Sequence, residues 1–138
     1  MTDLQAEARA SLTSAAERVD AMPDPLDRYL DVEARIVFPM LERCGDAGAQ
    51  QWADGQERHQ ALLGLIAGGG AIDRVLGAFD GHVDLTRGRV WPMLRVHLDR
   101  DELDELGDAI VEVLATRDLA ETELDRPPTA RDGTGDGP

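Results

Sequence analysis

Two stretches decide the fold: RYLDVEARIVFPML at residues 28–41 and GHVDLTRGRVWPML at residues 81–94. Each carries apolar side chains at helical spacing, and each has a proline at its twelfth position, Pro39 and Pro92. A proline inside a helix removes a backbone hydrogen bond and presses its ring on the preceding turn, at a cost of about 3 kcal/mol or more. Two such prolines at matching places need one common reason.

Helical spacing extends outward from both stretches, and no segment alternates with the strand period. Leu4, Ala8, Leu12, Ala15, Val19 and Met22 predict a first helix, which PDP at residues 23–25 ends. The second runs from about Pro25 to Cys44. GDAG at residues 45–48 precedes a third, striped by Trp52, His59, Leu62, Leu63 and Ile66 and closed by GGG at residues 68–70. The fourth extends from Ile72 to Leu94. A short fifth follows with Leu103, Leu106, Ile110, Val113 and Leu114, and Asp99 is placed to cap it. This pattern predicts an all-α protein, an up-down-up-down four-helix bundle over residues 1–117 with the short C-terminal fifth helix across one end. Residues 118–138 form a tail. From Pro127 it has no apolar side chain larger than alanine and is predicted to be disordered.

The chain has 138 residues, enough for one domain with its own core, and 42% hydrophobic against 30% charged residues is a globular balance. With 28 acidic and 14 basic residues, the net charge of -14 excludes nucleic-acid backbones and anionic membrane surfaces as partners. The single cysteine, Cys44, cannot form an internal disulfide and reads as a structural thiol. No apolar run reaches membrane-spanning length, and MTDLQAEARA lacks the regions of a signal peptide, so the expected location is the cytoplasm.

Chemistry enters where the helices interrupt their own apolar stripes. Glu33 lies between Tyr29, Leu30, Ile36 and Val37, His59 between Trp52 and Leu62, and His82 and Thr86 follow Phe79. A buried unpaired carboxylate costs several kcal/mol, so Glu33 needs a partner. Glu33, His59 and His82 are the residue set of a 2-His-1-carboxylate metal site, and equally of a buried hydrogen-bonded group without metal. Tyr29 reads as a core aromatic and Thr86 as a small core residue. His97, fifteen residues beyond His82, lies about 22 Å further along a helix and belongs to its end.

At these residues the chain resembles the hemerythrin-like family, the HHE cation-binding domain, over roughly residues 4–113. VFPML and VWPML match the family's aromatic-Pro-x-Leu element, with Pro39 six residues after Glu33 and Pro92 six after Thr86. ERHQALL resembles its third-helix histidine segment, and FDGHVDL the start of its fourth-helix pair. The resemblance implies a di-iron bundle with Glu33, His59 and His82 at ligand positions. Ala8 and Tyr29 stand where the family has histidines, and Thr86 where it has a glutamate. What remains implies at most one iron or other divalent cation, held by Glu33, His59 and His82, with Tyr29 and Thr86 as weaker candidates. Open positions on such a cation imply O2, NO or peroxide as ligands. The alternative is a metal-free bundle that serves as a protein-binding or regulatory module. No nucleophile–base pair supports an enzyme.

Overall fold

The computed structural model describes residues 2–14, 18–19 and 21–124, with the backbone alone for 121–124. Among these residues the protein is all-α apart from one pair of two-residue strands. Helix α1 spans Thr2–Thr13. It stops short of the Met22 end predicted above because its last turn is rich in hydroxyls that bond back to the chain. Ser11 donates to the Ala8 carbonyl at 2.6 Å, Thr13 to Ala10 at 2.9 Å and Ser14 to Ser11 at 2.9 Å. Arg18–Val19 (β1) then pairs antiparallel with Gly70–Ala71 (β2), so Val19 is buried from a strand rather than a helix. Ala15 lies outside the described residues.

The next rod begins at Asp24, with Pro23 as its extended N-cap and Pro25 in the first turn, where a missing N–H is harmless. It consists of α2 (Asp24–Val32), a π-turn (Glu33–Val37), α3 (Phe38–Met40) and a 3-10 turn (Leu41–Cys44). Gly45 ends it with φ of 72°, a conformation that a side chain resists. Helix α4 (Gly45–Ala67) follows at once, so the predicted break at residues 45–48 is a single residue wide. After Gly69 and β2, the last of these rods comprises α5 (Ile72–Leu85), a π-turn (Thr86–Val90) and α6 (Trp91–His97).

The two prolines share the common reason that their spacing demanded. Each sits in the first turn of a new α segment, directly after a π-turn. The Phe38 N–H donates to the Glu33 carbonyl and the Trp91 N–H to the Thr86 carbonyl, one residue further back than an α-helix allows. This wider turn takes the proline ring out of α register with the carbonyl four residues behind it. The residue that opens each π-turn, Glu33 or Thr86, is also one of the polar groups in the core.

Helix α7 (Arg100–Leu124) is 25 residues long, not short. Its start is a reciprocal capping box: the Glu102 N–H donates to Asp99 Oδ1 at 2.8 Å and the Asp99 N–H to Glu102 Oε1 at 3.0 Å. The domain boundary placed at residue 118 therefore falls inside this helix, while residues 125–138 lie outside the described ones. Arg117 fastens α7 to α2 through Asp27 at 2.9 Å and Asp31 at 3.2 Å.

Helix α1 packs on α2 and α5, and α4 on α5. The pairs Gln5–Arg87 and Arg9–Asp80 run in opposite chain order, so α1 and α5 are antiparallel. Leu12, Leu26, Phe38, Leu41, Leu62, Val75, Phe79 and Leu94 fill the space between the rods. Among the described residues, no helix is long and apolar enough to cross a membrane.

Candidate metal centre

Glu33 is completely buried, and every group aimed at it is a donor. His59 Nε2 from α4 lies 2.8 Å from its Oε1, and His82 Nε2 from α5 lies 2.5 Å from the same oxygen. The Tyr29 hydroxyl, one turn earlier on α2, donates to Oε2 at 2.6 Å, and the Thr86 hydroxyl donates to Oε2 at 3.3 Å. These four contacts fill the four lone-pair sites of a carboxylate. Burial alone would raise the Glu33 pKa. The bonds from His59, His82 and Tyr29 outweigh it and hold the carboxyl at about 2, so the group is ionised. The Tyr29 phenol moves the other way, raised by burial and then by the Glu33 charge, so it keeps its proton and donates.

Behind this first ring, guanidinium groups close the network at both ends. Arg58 Nε donates to His82 Nδ1 at 2.9 Å. Arginine can only donate, so Nδ1 accepts and the His82 proton sits on Nε2, facing Glu33. At the other end, Arg87 Nε donates to Gln5 Oε1 at 2.8 Å, and Gln5 Nε2 donates to the Tyr29 hydroxyl at 3.3 Å. The proton of each link points inward, and the carboxylate is the common acceptor. Phe38 lies against both imidazoles, with ring centroids 5.1 Å from His59 and 6.4 Å from His82. Outside His59, a cleft of about 540 Å³ is lined by Asp27, Asp31, Gln56 and Gln60.

Donor chemistry suits one cation. Glu33, His59 and His82 each bring a buried ligand atom, and these atoms lie within 4.8 Å of one another, so the cluster can hold a metal ion. Two adjustments are needed. A cation bound at about 2.1 Å holds its ligand atoms about 3 Å apart or more, so the histidines must draw back slightly from Oε1. Both histidines must also clear Nε2 of its proton, and at His82 Arg58 opposes this from the other side of the ring. A second cation has no comparable donor set among the described residues. Ala8 is fully buried on α1 and has no donor to offer.

The residues singled out in the sequence thus meet at one point: Glu33 at the centre, His59 and His82 on one oxygen, Tyr29 and Thr86 on the other. His97 does not join them. Its Nδ1 bonds to the Met93 carbonyl at 3.0 Å, in the last turn of its own helix. Cys44 is a buried free thiol whose pKa burial raises. Three members of the network escaped the sequence reading: Gln5, Arg58 and Arg87. Gln5 left a signal, because it is a buried polar residue between Leu4 and Ala8 in the α1 stripe. The arginines occupy partly or fully exposed positions beside core residues, where arginine is ordinary. No family model, no curated protein and no solved structure matches the chain.

Proposed function

We propose that this chain is a hemerythrin-like, up-down-up-down four-helix bundle whose centre takes one divalent cation, ferrous iron first, through Glu33, His59 and His82. The observation that carries the reading is the convergence of three buried donors from three successive rods within 4.8 Å. It is supported by the two π-turn and proline elements at the family's spacing, and by the antiparallel run of α1 against α5. Iron at this position supplies open coordination sites for a small ligand such as O2, NO or peroxide. The chain's own residues set the terms. Glu33 brings the negative charge, Tyr29 and Thr86 fix its second oxygen, and Phe38 walls the imidazoles. Asp27 and Asp31, both bonded to Arg117, line the cleft outside His59. We place the protein in the cytoplasm, and its net charge of -14 keeps it from nucleic acid.

A second reading is favoured by one contact, that of Arg58 with His82. Metal-bound histidines almost always donate their other ring nitrogen, whereas His82 accepts there. On this reading the polar core is a metal-free lock, and the acidic surface meets a protein partner. Melting curves separate the two, taken for the parent and Glu33→Gln, with chelator and with ferrous iron under anaerobic conditions. For the cation reading, the parent should gain melting temperature with iron and the variant should not. Protein purified without chelator should contain no more than one iron per chain. A parent indifferent to iron, beside a destabilised variant, leaves only the metal-free lock.

A further inference from the structure

Between the start of α1, α6 and the first half of α7 lies a cavity of about 560 Å³. That is within the range of small-molecule sites. Trp91, Leu103, Leu106 and Ile110 form its apolar wall, and the charged groups on it are two arginines, Arg87 and Arg95. The sign is against the trend of the molecule. Acidic residues outnumber basic ones 28 to 14, yet among the described residues no carboxylate lines this cavity. Among the described residues, neither arginine is held in an ion pair. Arg87 spends its Nε on Gln5 and retains both terminal nitrogens for a two-pronged contact.

An apolar wall that ends in two guanidiniums free of ion pairs among the described residues complements a molecule with an apolar body and one negative head. We infer that this cavity is a binding site for a small amphipathic carboxylate, with its body against Trp91 and its carboxylate between Arg87 and Arg95. The site uses none of the atoms proposed to hold a cation, although Arg87 reaches Tyr29 through Gln5, so carboxylate binding is read by its own titration whether or not a cation binds. Phosphate alone would leave the apolar wall unused, and an uncharged alcohol would leave the arginines unused. Only the combination uses both.

The test is titration of the full chain with decanoate, followed by calorimetry and by the emission of Trp91 in a Trp52→Phe background. Binding should saturate at one decanoate per chain and change the emission. Decanol and inorganic phosphate should each bind at least about tenfold more weakly, the factor for losing either a charge-assisted bond or the apolar contact. Arg87→Gln with Arg95→Gln, both exposed, should weaken decanoate by about tenfold or more. Gly107→Leu blocks the cavity from α7. A Cβ at Gly107 meets nothing within 4 Å, so the variant should keep its helical content and lose the binding. The inference is overturned if decanoate shows no saturable binding or decanol binds equally well. It is overturned too if a folded Gly107→Leu, or the double arginine variant, binds decanoate like the parent.

Discussion

The stretches around Pro39 and Pro92 share a backbone and divide the chemistry. Tyr29 corresponds to His82, Glu33 to Thr86, Phe38 to Trp91 and Pro39 to Pro92, each 53 residues apart. Both stretches open a π-turn at the second of these positions, and both set the proline in the turn that follows. Yet one stretch brings a carboxylate where the other brings a hydroxyl, and the hydroxyl donates to the carboxylate. Phe38 is fully buried beside the histidines, whereas Trp91 is half-buried and lines a cavity. The repeated backbone device thus serves two ends: the first copy anchors the polar centre, and the second completes it while opening outward.

The largest test exchanges the chemistry at the paired positions 33 and 86. Glu33→Leu strands four donors in the core and should cost about 4 kcal/mol. Thr86→Val removes one long bond at nearly constant volume and should cost only about 1 kcal/mol. Chemical denaturation measures both. Equal losses would mean that the two stretches share the centre evenly, contrary to the geometry.

Acid should expose the same asymmetry. The Glu33 pKa is lowered from 4.5 to about 2, so its contribution is complete above pH 4.5 and vanishes as the pH falls through 2. That window should remove about 3 kcal/mol of parent stability. Glu33→Gln has nothing to protonate there, so its stability should fall less steeply over the same range. Parallel curves would show that Glu33 is not caged as an ionised acceptor.

Next in size are two glycines that face the paired aromatics. A Cβ at Gly55 would lie 2.6 Å from Phe38 Cζ, whereas one at Gly107 meets open space beside the Trp91 cavity. Gly55→Ala should therefore destabilise the fold by about 2 kcal/mol, because Phe38 is wedged between α4 and the histidines. Gly107→Ala should stabilise it by up to about 1 kcal/mol through helix propensity. Thermal melts of the two variants should shift in opposite directions.

The sequence carried the helices, the start of the second rod after Pro23, the break at Gly68, and the trio Glu33, His59 and His82, because each of these leaves a periodic trace or a proline or glycine mark. Stripes interrupted by polar groups are a backbone-independent signal. The π-turns left none, since over five residues a π-turn and an α-turn show nearly the same apolar spacing, and only the prolines hinted at them. The end of α1 was misjudged because Val19 keeps helical spacing with Leu12 and Ala15 while being buried from a strand. The length of α7 was missed for the opposite reason. LATRDLAETEL at residues 114–124 is rich in strong helix formers but offers no apolar stripe, so propensity was the signal and periodicity was silent.

The smallest expected change in stability belongs to Arg58, and it bears most directly on what the centre holds. Arg58 donates Nε to His82, while its Nη2 is buried without a hydrogen-bond partner among the described residues, and burial lowers its pKa. Arg58→Met removes one bond and one unpartnered nitrogen together and keeps a long apolar stem, so apo stability should change by less than about 1 kcal/mol. The effect on the imidazole is larger than on the fold. Without a donor at Nδ1, the proton of His82 is free to move there and uncover Nε2 for a cation. Affinity for ferrous iron should then rise by about tenfold, seen as a greater iron-dependent gain in melting temperature than in the parent. A gain in the variant alone would make Arg58 the lock of a natively metal-free core. Equal gains in both proteins would show that Arg58 yields to the metal unaided, and the assignment of the His82 proton to Nε2 would no longer limit binding.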